Sequence, residues 1–175
     1  MNIHFDKIEK SRLPETDMSK IPFGRVFSDH MFEMDFHDGQ WQQPTIRPVA
    51  DLPMHPANLT LHYGQSIFEG MKASKNADGA PLLFRPEAHA QRMNASATRM
   101  CMPNIDEDVF VEAVRQMVIT EQAWIPEQEG SALYVRPFMF ATDEFLGVAP
   151  SETYKFLILT LPVAPYYSMP VKLYA

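Results

Sequence analysis

Two stretches, residues 131–141 and 154–163, constrain the fold more than anything else in the chain. Each is about ten residues of β-branched, aromatic and aliphatic side chains, too short and too β-rich for a core helix of ordinary length. The spacing predicts the two longest strands of a sheet. The linker between them carries Asp143 to Pro150. Along the first, Ala132, Tyr134, Arg136, Phe138 and Phe140 share one face, because side chains alternate across a strand. Leu133, Val135 and Met139 share the other and are assigned to the core. One face thus presents an arginine framed by a tyrosine and a phenylalanine. A guanidinium binds a carboxylate in two-pronged geometry, and aromatics around it would hold an apolar side chain. A surface salt bridge is the competing role for Arg136.

Ahead of that strand the period changes. Pro86 suits the first position of a helix, with Glu87 in its first turn and Met93, Ala97 and Met100 at helical spacing. Pro103 follows the end of this helix. Asn104 with Glu107 three residues later resembles a capping box. It opens a second helix whose stripe combines Val109, Ala113 and Met117 with Phe110, Val114 and Val118. Alternation over 30–36 predicts another strand, and 41–49 a proline-interrupted extended segment at a sheet edge. Asn76-Ala77-Asp78-Gly79 is a turn signature, so 71–74 and 82–85 are expected to form a hairpin. The sum is an α+β fold: an antiparallel sheet with two consecutive helices packed on one side. Residues 1–22 are polar, contain Pro14 and Pro22, and read as an arm that packs late or stays loose.

Composition narrows the function classes. The formal charge of −7 argues against general affinity for nucleic acid or anionic membrane. No apolar run approaches the ~20 residues needed to span a bilayer, and the polar start is no secretory signal. A cytoplasmic location is expected. The single cysteine, Cys101, excludes an internal disulfide and is expected to be a buried structural thiol. His30, His62 and His89 each stand alone and are assigned structural roles. No zinc, phosphate-loop or serine-hydrolase signature is present.

The run Leu61-His62-Tyr63-Gly64-Gln65-Ser66-Ile67-Phe68-Glu69-Gly70-Met71-Lys72-Ala73 is unusual. It holds two aromatics, Tyr63 and Phe68, two glycines, and a carboxylate enclosed between Phe68 and Gly70. Glycine there implies an unusual backbone or a close approach by another group. Residues 57–70 are read as a short helix, and a short buried helix entered and left by turns would account for the run equally well. Arg85 and Arg92 lie seven residues apart, two helical turns, and share a face if Arg85 is already near the helix start. Either could hold a phosphate or be solvated; spacing does not choose between them.

Taken in order, 61–73, Phe84-Arg85-Pro86 with Arg92, Leu133-Tyr134-Val135-Arg136-Pro137 and Leu146-Gly147-Val148 resemble the amino-terminal half of the branched-chain amino-acid aminotransferases. These are pyridoxal phosphate enzymes of fold type IV. The resemblance begins no later than Phe23-Gly24, continues through Phe27-Ser28-Asp29-His30-Met31, and runs to Pro162-Val163 and the end. It implies an arm over 1–22, a small aminotransferase domain over 23–165, and over 166–175 an interdomain linker with the start of a second domain. Arg92 matches the family's arginine for the cofactor's 5′-phosphate. Phe23, Tyr63, Phe68, Tyr134 and Arg136 match pocket residues, with Arg136 meeting the side-chain carboxylate of glutamate. Leu146 and Val148, together with Tyr63, match residues that act across a homodimer interface.

The lysine that carries the family's cofactor matches none of Lys7, Lys10, Lys20, Lys72, Lys75, Lys155 or Lys172 and is expected in the second domain. This chain alone is therefore expected to be inactive. The implied reaction transfers the amino group of leucine, isoleucine or valine to 2-oxoglutarate. The alternatives are another fold type IV enzyme, such as a D-amino-acid aminotransferase or aminodeoxychorismate lyase, and a non-catalytic dimerisation or binding module.

Overall fold

The computed structural model describes residues 1–165 and 171–173. The expected linker and second-domain start over 166–175 therefore lie largely outside the described residues. Among the described residues nine strands form one sheet: β1 His4–Phe5, β2 His30–His37, β3 Gln40–Trp41, β4 Thr45–Pro48, β5 Ser66–Phe68, β6 Met71–Lys75, β7 Pro81–Leu83, β8 Ala132–Ala141 and β9 Tyr154–Val163. The main path runs β1-β4-β2-β9-β8-β6-β7, with β3 on β2 and β5 on β8. A five-residue α1, Leu59–Tyr63, precedes β5, while α2, Pro86–Arg99, and α3, Glu107–Thr120, follow one another and cover one face. The α+β architecture expected from the sequence is the one found.

The core lies between α2, α3 and the sheet. Ala90, Met93 and Ala97 of α2 and Phe110, Ala113, Val114, Met117 and Val118 of α3 are buried there. They meet Leu133, Val135 and Met139 of β8 and Phe32 and Phe156 of the neighbouring strands. Met100 is not part of this stripe. It caps α2, is 38% exposed, and Ala90 takes the first position instead.

Four local expectations are corrected. The second helix is capped by Asp106, whose carboxylate accepts from the amides of Asp108 and Val109, and not by Asn104. Cys101 is exposed and left-handed at φ 54°, because it sits in the turn that ends α2. The expected helix over 57–70 stops at Gly64, whose φ of 67° lets its amide return to Thr60. The chain beyond becomes β5. Finally, β4 is not the sheet edge, because β1 pairs with it in parallel and takes that place.

The arm packs. The Asp29 carboxylate accepts from Ser11 Oγ, the Arg12 amide and Trp124 Nε1, while Arg12 Nη2 donates to the carbonyls of Phe27 and Ser28. Burial works to raise the Asp29 carboxyl, but these donors win and hold it below the usual carboxylate range. Glu121, buried just beyond α3, accepts from the Asp29 amide and hydrogen-bonds His30 Nδ1. His30 is accordingly structural, as expected.

Candidate functional site

The sheet face away from α2 and α3 holds the site, and strand register assembles it. Arg136 of β8 stands opposite Leu159 of β9, Tyr134 opposite Leu161, and Phe138 opposite both Leu157 and Phe68 of β5. Alternation sends all of these side chains to the same face. Phe23, on the segment leading into β2, stacks edge-on against Tyr134 at 5.9 Å between centroids. The result is an apolar cavity of about 370 Å³, lined by Phe23, Phe68, Tyr134, Arg136, Leu159 and Leu161 among others.

Arg136 is the cavity's charged group. Its guanidinium carbon lies 4.2 Å from the centre of the Phe68 ring and 5.3 Å from that of Tyr134. Its Nη2 donates to Tyr134 Oη at 2.8 Å. Its Nε is buried with no acceptor among the described residues. The surface salt bridge weighed against a pocket role is absent among the described residues: no carboxylate pairs with Arg136. Leaving a buried donor unmatched costs about 1–3 kcal/mol, which an acceptor reaching this nitrogen would recover.

Pro137 explains the break between β5 and β6. It has no amide hydrogen for the ladder, and the pairing is interrupted at Glu69–Gly70, where only the Glu69 amide bonds back to the Pro137 carbonyl. Strand alternation nevertheless persists across the break. Phe68 and Gly70 face the cavity, and Glu69 faces α2. There the Glu69 carboxylate takes Arg92 Nε at 2.9 Å and Nη2 through its other oxygen, and it also accepts from His89 Nδ1 at 2.8 Å. Burial works to raise the Glu69 carboxyl, but Arg92 and His89 outweigh it and the group is held below its ordinary value. The same pairing raises the Arg92 guanidinium.

Gly70 is required by close approach. A Cβ there would lie 2.1 Å from Tyr134 Oη and 2.9 Å from its Cζ. Gly70→Ala should displace Tyr134, break its bond with Arg136 and cost about 1–3 kcal/mol. Urea denaturation checks this, and Gly70→Ala combined with Tyr134→Phe should recover only part of the loss, because Oη is gone but Cζ still lies 2.9 Å from the new Cβ.

Of the residues expected in one site, the structure brings together Phe23, Phe68, Tyr134 and Arg136. Tyr63, Leu146 and Val148 do not line this cavity; they are 47%, 67% and 92% exposed. Arg92 sits on the helix side of the same strand. Arg85 precedes α2 in a left-handed conformation at φ 48°, so helical spacing does not place it with Arg92. Of the other lining residues, Leu159 and Leu161 belong to a strand that the sequence marks clearly, but naming them requires the β8–β9 register. Among the described residues no group of three His, Cys, Asp or Glu could hold a metal ion. No described helix is long and apolar enough to cross a membrane.

This sheet with its paired helices is similar in fold to part of solved branched-chain amino acid aminotransferases. The crystal structure of the Escherichia coli branched-chain amino acid aminotransferase superposes on 77% of the chain and 41% of its own, with a TM-score of 0.59 and 26% identity. That of the T.th. branched-chain amino acid aminotransferase, complexed with N-(5′-phosphopyridoxyl)-L-glutamate, shares the fold at a TM-score of 0.59 and 22% identity, covering 78% of this chain and 41% of that one. No family model matches the chain.

Sequence relatives make the assignment narrower. Branched-chain-amino-acid aminotransferase 2 of Bacillus subtilis (strain 168) is 47% identical over 167 residues, 95% of this chain and 46% of that protein. The branched-chain-amino-acid aminotransferase of Mycolicibacterium smegmatis is 39% identical over 160 residues, 90% and 44% respectively. The chain is a homologue of the branched-chain-amino-acid aminotransferases and spans about half the length of the curated relatives it matches.

Proposed function

We propose that the chain supplies one wall of the active site of a branched-chain aminotransferase. In this reading leucine, isoleucine or valine donates an amino group and 2-oxoglutarate accepts it. The observation that carries the substrate reading is Arg136 with its unmatched, buried Nε in an otherwise apolar cavity. A branched aliphatic side chain rests against Phe23, Phe68, Leu159 and Leu161. The extra carboxylate of glutamate or 2-oxoglutarate needs a charge partner, and Arg136 offers one without leaving the apolar wall. Phe68 is exposed and lies over the guanidinium, so a rotation of its ring would uncover Arg136 for that carboxylate. One cavity thereby serves two substrates that differ in charge.

The residues fit a phosphorylated cofactor of the pyridoxal type. Glu69 engages Arg92 through Nε and Nη2 while the side chain stays 65% exposed, which leaves the Nη1 edge open to an anion. Pyridoxal phosphate, when bound, supplies the electron sink that transamination needs. Arg92 would hold the phosphate end, with the guanidinium orientation fixed by Glu69. The cofactor-bearing lysine is assigned to a second domain, the working protein to a cytoplasmic homodimer, and Tyr63, Leu146 and Val148 to the partner subunit's pocket. This chain by itself is assigned no activity.

The cofactor assignment is testable in the complete protein. Arg92→Ala should weaken pyridoxal phosphate binding by about one to two orders of magnitude, the worth of a charge-assisted contact. Arg85→Ala, altering an exposed residue outside the helix, should leave it nearly unchanged. Equal affinities by titration would remove Arg92 from the phosphate site.

A further inference from the structure

Two segments that are far apart in sequence are fastened into one piece near the exposed side chains Tyr63, Leu146 and Val148. The Leu59 amide of α1 donates to the Asp143 carbonyl at 2.9 Å, and Asn58 bridges to Glu144. Asp143 then closes the base of the 143–153 loop. Its Oδ2 accepts from the Glu152 amide at 2.7 Å, its Oδ1 accepts from Thr153 Oγ1, and its own amide donates to Ser151 Oγ. Burial works to raise the Asp143 carboxyl, yet these donors hold it below its ordinary value, so it stays an acceptor near neutrality.

Gln65, just past the Gly64 turn, ties the same loop from the other side. Its Oε1 accepts from the Ser151 amide at 3.1 Å, and its Nε2 donates to the Met100 carbonyl at 3.0 Å and to Tyr154 Oη at 3.3 Å. Those contacts reach the loop, the end of α2 and the start of β9. Neither residue touches the arginine cavity.

We propose that Gln65 and Asp143 are positioning residues that lock α1 and the 143–153 loop into one rigid unit, which presents Tyr63, Leu146 and Val148 in fixed geometry. The proposal rests on the reading of those three side chains as pocket residues. A loop tip as exposed as 144–150 would otherwise lose much of its order. Side chains that complete a pocket from a loosened loop must be ordered again at each binding event, which weakens substrate binding before it slows chemistry.

The test uses the complete protein with leucine as substrate. Asp143→Ala and Gln65→Leu should each raise the KM for leucine roughly three- to tenfold, the scale expected for re-ordering a side chain or two. The kcat should stay within about twofold, with cofactor affinity unchanged. Asp143→Asn should behave like the parent, because its amide oxygen can still accept from Glu152 and its NH2 can donate to Thr153. Deuterium uptake in Asp143→Ala should rise in 58–65 as well as in 143–153. A rise confined to 143–153 would show that the two segments are not one unit and would overturn the proposal. A lowered Tm with unchanged KM would make the two residues merely structural and overturn it as well. If Leu146→Ala and Val148→Ala leave the KM unchanged, the pocket reading fails and the proposal with it. If those two raise it while Asp143→Ala and Gln65→Leu do not, only the proposal fails. Gln65→Leu supplies the same readouts should Asp143→Ala fold poorly.

Discussion

On the proposed function, Arg136→Ala in the complete protein should damage the 2-oxoglutarate/glutamate half-reaction far more than the leucine half-reaction. Removing the partner of a buried carboxylate commonly costs about 2–5 kcal/mol, some thirty- to several-thousand-fold in kcat/KM. Leucine would lose only packing against the guanidinium stem, worth at most about tenfold. Phe68 and Tyr134 already flank the guanidinium, so Arg136→Lys should not rescue the charged substrate: an ammonium cannot reproduce the fork or the stacking on Phe68. The measurement is each half-reaction followed separately by the cofactor's absorbance. Equal losses in both would mean that Arg136 supports the fold or the cofactor and does not sort substrates.

The largest stability effect is expected at Glu121. It is 2% exposed and serves both the Asp29 amide and His30 Nδ1. Glu121→Ala strands two buried polar groups and should cost about 3–5 kcal/mol, a large share of the about 5–15 kcal/mol that holds a typical domain. Glu121→Gln keeps an acceptor for one of them and should cost less. Urea denaturation at neutral pH separates the two variants. The arm should loosen first in Glu121→Ala, since Asp29 joins Ser11 and Arg12 to this buried group. Asp29 adds an acid dependence. Its folded carboxyl is depressed, so its contribution is complete above the unfolded value near about 4 and disappears as pH falls through the folded value. If Glu121→Ala matches the parent in its urea midpoint, the buried network contributes nothing to stability.

What can be read from the chain divides along physical lines. β9 is legible to the residue, and β8 to within one at its start, because both pair along their whole length and their alternation is undisturbed. The face of Arg136 follows from alternation alone. By contrast, β5 reads as the rest of a helix. Its three residues are too few to show a period, and only Gly64 marks the change. Asn104 resembles the cap through its spacing to Glu107, but Asp106 lies next to the helix and offers the same oxygen at shorter reach. The Glu69–Arg92 pair is not legible, because it joins the break between β5 and β6 to a helix residue 23 positions away. The roles of Gln65 and Asp143 are equally hidden. Their partners lie from 8 to 89 residues distant, and neither residue type is unusual in a loop.

The three adjacent residues Phe68, Glu69 and Gly70 face alternately toward the cavity, toward α2 and toward the cavity again. Because that order is a matter of parity, the segment between Ile67 and Met71 works as a fixed-length spacer. One inserted or deleted residue would turn the Glu69 carboxylate into the apolar cavity and the Phe68 ring against Arg92 and His89, while bringing a Cβ against Tyr134. Length is thus constrained here alongside the identity of Gly70. The Asn76–Ala80 turn of the neighbouring hairpin, with its exposed tip, can change length at little consequence to either side of the sheet.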